Sequence, residues 1–399
     1  MIKVKKRFLI LIVVTLVFAI LSGGNLPYSL FYCVLIIFIL SLIYILLIKR
    51  SINLRLQISK RDIVSKEQNP VVLKIFNDSI FPISYIEIQS DIFVAGVERY
   101  RGDVISLGVA SNKLIKKNIS LNVRGIYEEG KTRCKFGDVF GIVTCEKVFK
   151  NRGMIKVYPR TYPISNVMIS GANNDNYSGR CELKSNKFSE ENQIVKNIRE
   201  YRTGDSYRRI NWKVTAKQGK LFVKEYDNSE SPQIYLFLDF RKEPLLMDDS
   251  GEIEEEMVEF FLSLVKHMGT YNSMLKLTIL GEKEKCYTIK NENDFQVLDE
   301  YLMNHFSDGK GKLEKYMNRY LYDIKKNSAV VLITCDVSKE NIQYAIGLIG
   351  KGYKVTIFYI NKGLGFKKEN IVEAINAGVF CYNVEEIRWL YGCYKGKIY

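Results

Sequence analysis

The sequence predicts a three-part protein: a pair of apolar N-terminal helices, an antiparallel sandwich-like β region, and a C-terminal α/β domain on a doubly wound sheet. Three observations carry this. Two long uncharged apolar runs fall within the first 50 residues. Short alternating runs separated by polar turns follow. After about Ser231, apolar strand runs alternate with helical patterns. The 399 residues are enough for two or three domains, and an apolar content of 47% supports real cores.

The first apolar run, Phe8 to Leu21, is short for a bilayer span, and the second, Leu30 to Ile48, is long enough on its own. They follow each other too closely for a simple signal peptide. Residues 1–50 are therefore expected to form a transmembrane hairpin. Lys3, Lys5, Lys6 and Arg7 precede it, Lys49, Arg50 and Arg55 follow it, and the connecting "SGGNLPYS" is uncharged. Positive-inside orientation then puts both flanks in the cytoplasm, with two spans in the cell membrane.

Residues 51–160 are expected to be a β sandwich-like domain with no amphipathic helix. "PVVLKIFNDSIFPISYIEIQSD" carries two strand runs split by the turn cluster Asn77-Asp78-Ser79, and "KLIKKNISLNVRGIYEEG" and "KFGDVFGIVTCEKVF" continue the pattern. Residues 161–190, rich in Asn, Ser and Gly, are expected to be a linker.

Residues 191–230 contain "IREYRTGDSYRRINWKVTAKQGKLFVKEYD". Asp205 suits the N-cap of a helix ending near Gly219, with "KLFVKEYD" a strand entering the α/β domain. Trp212 is the expected buried anchor. Arg199, Arg202, Arg208, Arg209 and Lys213 could hold an anion or lock a structural network, and arginine forks suit both uses.

Residues 231–399 are expected to form the α/β domain. Strands are predicted in "QIYLFLDF", "MLKLTILG", "AVVLITCD", "KVTIFYI" and "VFCYNV". Helices are predicted in "GEIEEEMVEFFLSLVKHMG", around Phe295–Phe306 and Leu313–Ile324, and over Glu340–Gly350, with a terminal helix after the last strand. Sites in such sheets lie at the carboxyl ends of strands, which here carry Asp239 and Asp336.

The net charge of +15 fits an anionic membrane face or nucleic acid, although most of these charges read as solvated surface. The eight cysteines form no CxxC pair and read as free thiols. With two histidines only, imidazole-based catalysis or metal binding has little to draw on. "DGKGKL" at Asp308–Leu313 lacks the spacing of a phosphate loop, and the acids at Glu190–Glu191 and Glu252–Glu256 fit a linker and a helix start.

The signature segment resembles the bacterial family called domain of unknown function 58. Arg199, Tyr201, Gly204, Asp205, Arg208, Ile210, Trp212, Lys213 and Ala216 match its pattern, as do "RGIY", "DVFGI" and "VYP" upstream. The resemblance implies that the C-terminal half is like a von Willebrand factor type A domain. Such domains can hold Mg²⁺ through Asp-x-Ser-x-Ser, a Thr and a further Asp, the all-oxygen shell that hard cations take. Here Asp239 is followed by Arg241 and Glu243 in place of the two Ser residues, Asp336 matches the later Asp, and no Thr is assigned. The fold is expected to be kept and the metal site lost. No cofactor, metal or catalytic residue is expected. The resemblance further implies a non-enzymatic membrane-anchored adaptor or assembly factor, accompanied by a MoxR-type AAA ATPase and a transglutaminase-like membrane protein. The alternative is a polyanion-binding protein or enzyme using the arginine cluster of residues 199–213.

Overall fold

The computed structural model describes residues 2–164, 195–202, 205, 207, 210–226, 234–246, 248–269, 275–282, 284–289, 291–324, 328–362 and 366–390. Most of the expected linker, and Gly204, Arg208 and Arg209 of the signature segment, lie outside these residues. The chain divides into two compact units, Met1–Tyr158 and Pro159–Tyr399.

The first unit opens with strand β1 (Ile2–Val4), then helices α1 (Lys6–Ser22) and α2 (Asn25–Ser51). The strands β2 (Ile52–Ile58), β3 (Asp62–Val64), β4 (Asn69–Asn77) and β5 (Ile83–Ser90) follow, then a short helix α3 (Asp91–Gly96). The unit closes with β6 (Asp103–Leu107), β7 (Asn112–Ile119), β8 (Gly125–Glu128), β9 (Lys131–Gly137), β10 (Val143–Lys150) and β11 (Met154–Tyr158). They form sheets of order β1-β10-β9-β5-β6, β2-β4-β7 and β3-β11-β8. Period-two alternation does the work: Val71, Leu73 and Ile75 of β4 point inward, and Cys134 and Phe136 of β9 face the same core. Helix α3 corrects the expectation of no helix here. Ile92 and Phe93 bury it in that core.

Helix α2 is long and apolar enough to cross a membrane by length and composition. Helix α1 packs along it, with the Phe8 and Phe38 rings stacked at 6.1 Å. A reversal at Gly23–Gly24 joins the two, and both glycines have positive φ, which spares a Cβ the left-handed strain. The last turns of α2 serve a second purpose: Ile45 and Ile48 are fully buried in the core of the β unit.

In the second unit, β12 (Val195–Glu200), helix α4 (Trp212–Gln218) and β13 (Phe222–Tyr226) precede the α/β elements. These are β14 (Ile234–Asp239), α5 (Glu252–Gly269), β15 (Leu275–Leu280), β16 (Lys285–Ile289), α6 (Glu292–Asn304) and α7 (Leu313–Leu321). Strand β17 (Ala329–Thr334), α8 (Lys339–Gly350), β18 (Lys354–Tyr359), α9 (Lys368–Asn376), β19 (Phe380–Asn383) and α10 (Val384–Leu390) complete it. The sheet order is β16-β15-β14-β17-β18-β19, parallel except for β16 at the edge. Strands β14 and β17 are buried at every position, as central strands covered on both faces must be. Strand β13 falls within the expected strand "KLFVKEYD" and pairs with β12 in a separate two-stranded sheet.

Candidate functional site

The order 3-2-1-4-5-6 reverses between β14 and β17, and the crevice of a doubly wound sheet opens beyond the carboxyl ends of those two strands. Asp239 closes β14, and Asp336 lies two residues beyond β17. The structure brings these two acids together through Arg241. Its Nε and Nη2 each donate to a separate oxygen of Asp239, both at 2.8 Å, and Nη2 also donates to Asp336 at 3.0 Å. Nη1 donates to the carbonyl of Gly311 at 3.1 Å. Thr334 adds a hydroxyl to Asp239 at 2.7 Å and accepts the backbone N–H of Asp336.

This is a dry site. The side chains of Arg241 and Asp239 are 4% and 1% exposed, and that of Asp336 is 17% exposed. Burial works against the guanidinium charge, but the bonds to Asp239 and then Asp336 outweigh it and hold the arginine above its ordinary pKa. Beside it, burial raises the Cys335 thiol, with the two carboxylates adding to the shift, so this sulfur stays protonated.

A glycine-rich loop, Ser307–Lys312, crosses the strand end. Backbone N–H groups of Asp308 and Gly309 donate to Phe240, and Lys242 donates back to Gly309. A Cβ on Gly309 would lie 3.1 Å from the Gly281 Cα and 3.3 Å from the Arg241 Cα, so glycine permits the close approach. Glu243 accepts from the Gly311 N–H at 3.1 Å. Glu254, at the start of α5, accepts from both the N–H and the hydroxyl of Ser307. That acid therefore holds a loop as well as sitting at a helix start. Asp248, unremarked in sequence, caps α5 by accepting from the N–H groups of Glu252, Ile253 and Glu254.

The donor set does not fit a hard divalent cation. Both oxygens of Asp239 and one of Asp336 are engaged by a fixed guanidinium, and Glu243 faces the loop backbone. Among the described residues, no group of three or more acidic, histidine or cysteine side chains is arranged to hold a metal. Thr334, the last residue of β17, is a further member of this network that the sequence did not single out.

The signature residues gather elsewhere, on the β12–β13 hairpin. Arg199 makes a two-pronged pair with Asp205 at 2.7 and 2.8 Å, and Asp205 also accepts the Arg202 N–H at 2.8 Å. These bonds hold the Asp205 carboxyl well below its usual range, at about 2. Asp205 is therefore not the helix N-cap. Helix α4 starts seven residues later, capped by Asn211, whose side chain accepts from Val214, and ends at Gly219 in the left-handed region. Ile210 is buried and bridges to Val223. Tyr201 stacks on Tyr207 at 5.8 Å. Trp212 corrects the expectation of a buried anchor, since it is 66% exposed. Ile210 does that work, and Trp212, Lys213 and Ala216 lie on the exposed part of α4.

Residues 197–362 match the family described as protein of unknown function DUF58. The chain is 22% identical over 315 residues to the uncharacterized protein YeaD of Bacillus subtilis (strain 168), covering 76% of this chain and 75% of that one. Among solved structures, the VWA domain of SpRpn10 covers 42% of this chain and 99% of its own at 10% identity and a TM-score of 0.28. The CARDB domain of the PF1109 protein from Pyrococcus furiosus covers 27% of this chain and 91% of its own at 10% identity and a TM-score of 0.18.

Proposed function

The chain belongs to the DUF58 family, and from that premise we propose a non-enzymatic, membrane-anchored adaptor or assembly factor. The observation that carries this reading is Arg241. Its guanidinium fills the crevice where a sheet of this order would take a ligand, and so converts a binding site into a rigid charged pole. Around that pole Lys242, Glu243 and Lys310 are exposed. Mixed exposed charge on a fixed frame selects partners and speeds their encounter.

The partner proposed is a MoxR-type AAA ATPase, with a transglutaminase-like membrane protein in the same assembly. Helices α1 and α2 would be two spans with both flanks in the cytoplasm, a fixed address that raises the effective concentration of a nearby partner. The test is co-purification of the ATPase from native membranes after mild crosslinking, comparing wild type with Lys242→Glu/Lys310→Glu. Loss of recovery from the folded variant is expected. Recovery unchanged by the variant removes this face, and no recovery from wild type removes the partner. Orientation is read separately: a cysteine at Asn25 should react with an impermeant thiol reagent on sealed cells, and one at Lys60 should not.

A second reading, polyanion binding by the signature hairpin, is favoured by one observation. Trp212 and Tyr207 are 66% and 69% exposed beside the exposed Lys213, Lys217 and Lys220. Aromatic faces interleaved with cations suit stacked bases along a phosphate backbone. Salt-dependent binding of single-stranded nucleic acid, weakened by Trp212→Ala, would support it.

A further inference from the structure

Two loop tips in the first unit expose large apolar side chains. The β4–β5 connection exposes Ile80 at 78% and Phe81 at 36%, and the β9–β10 hairpin tip exposes Val139 at 68% and Phe140 at 69%. Both are latched to the same stretch of α2. The buried carboxylate of Asp138 accepts from the Ser41 hydroxyl at 2.9 Å and from the Val143 N–H at 2.8 Å. Tyr44, one turn further on, donates to the carbonyl of Pro82 at 2.6 Å, and its ring meets Phe81 edge-on at 5.9 Å.

The tips are held stiffly. Asn77 and Ser79 both donate to the Phe81 carbonyl. Gly141 turns the second tip at positive φ, and the Lys5 N–H, one residue before α1, donates to Ile142. Between the tips and α2 lies a groove of about 250 Å³ with mostly apolar walls, including Leu40, Ile43, Leu47, Phe81 and Phe140. Of its polar side chains, Ser41 pairs with Asp138 and Tyr44 with the Pro82 carbonyl.

We propose that Ile80–Phe81 and Val139–Phe140 are lipid-inserting wedges that seat the β unit in the cytoplasmic leaflet, with phospholipid acyl chains filling the groove. The proposal rests on the reading of α1 and α2 as membrane spans. Three observations argue for lipid. The first is depth: sixteen residues separate Asn25 from Ser41, about 24 Å of helix, whereas the hydrocarbon core is about 30 Å thick. The residues latched to Ser41 and Tyr44 therefore meet the bilayer boundary. The second is proximity: Leu40, Ile43 and Leu46 of α2 are about half exposed, and Leu40 and Ile43 share the groove with Phe81, Val139 and Phe140 of the tips. The third is charge: Lys5, Lys6 and Arg7 are exposed at the start of α1, joined to the second tip by the Lys5–Ile142 bond. Cations at that level complement anionic headgroups above inserted apolar side chains. The "DVFG" stretch at 138–141 thus divides its labour: Asp138 latches to α2, Val139 and Phe140 enter lipid, and Gly141 makes the turn.

The test is photo-crosslinking of the full chain in vesicles of phosphatidylethanolamine and phosphatidylglycerol. A p-benzoylphenylalanine residue is placed in turn at Phe140, at Ile36 on the exposed side of α2, and at Tyr322 on the exposed surface of the second unit. All three positions are exposed, so folding is preserved. Lipid adducts at 140 and 36 and none at 322 are expected. Adducts at 36 without 140 overturn the wedge while leaving the span intact. Absence at both overturns the span and the wedge together. Crosslinks from 140 to another protein in native membranes, in place of lipid, would assign the tips to a protein interface and overturn the proposal.

Discussion

Arg241 holds Asp239 with two parallel hydrogen bonds of 2.8 Å inside a site almost closed to water. Such a pair is favourable only while both partners are present. The desolvation of each charge is offset by the other and by the remaining bonds to Asp336, Thr334 and Gly311.

Arg241→Met should therefore destabilise the chain by about 3–5 kcal/mol, because it leaves Asp239 buried and unpaired opposite Asp336. Arg241→Lys keeps the charge but loses the planar fork, and should fall between the two. Chemical denaturation monitored by circular dichroism measures both. A loss under about 1 kcal/mol for Arg241→Met would mean that the crevice refills with water and the pair is dispensable.

The same geometry predicts the metal behaviour. Wild type should show no saturable Mg²⁺ or Mn²⁺ site at millimolar concentration by calorimetry. Arg241→Ser/Glu243→Ser frees the oxygens of Asp239 and Asp336, adds two hydroxyls, and leaves Thr334 in place. That variant should gain a rise in melting temperature with added Mg²⁺, by preferential binding to the native state.

Much of this arrangement was legible in the sequence. Asp239 and Asp336 stood out because buried parallel strands are continuous apolar runs, and an acid at such a run's end has few reasons to be there. The resemblance placed Arg241 where a metal-binding Ser would stand, but its bonds to both acids came only from the structure. Strand β12 was not legible: "VKNIRE" is polar, and only its pairing with β13 makes it a strand. Trp212 misled because its size says how much it could bury, not which side of α4 it occupies. The "DVFGI" match singled out Asp138, but its bond to Ser41, 97 residues away, could not be read. Ile45 and Ile48 were ambiguous in principle, because a bilayer and a protein core select the same side chains.

Trp212→Ala should then leave stability within about 0.5 kcal/mol of wild type, as exposed substitutions do. Ile210→Ala, which removes a buried contact, should cost about 2–5 kcal/mol. Paired thermal melts separate the two. A large loss for Trp212→Ala would mean the indole is covered in solution.

Asp299 supplies a pH dependence. It sits on α6 with its Oδ1 lacking a hydrogen-bond partner among the described residues. Burial raises its carboxyl to about 6, against the opposing pull of Lys266. A raised carboxyl favours the folded state when protonated. The associated stability is fully present below the unfolded value of about 4 and is lost as pH rises through about 6. The loss amounts to at most about 3 kcal/mol for a shift of roughly two pH units. Asp299→Asn removes the charge that must otherwise be buried at neutral pH. The variant should therefore melt higher than wild type at pH 7.5, with the difference shrinking toward pH 4.5. A difference that does not change with pH would place the gain in packing or hydrogen bonding, and would mean that Asp299 titrates in the ordinary carboxylate range.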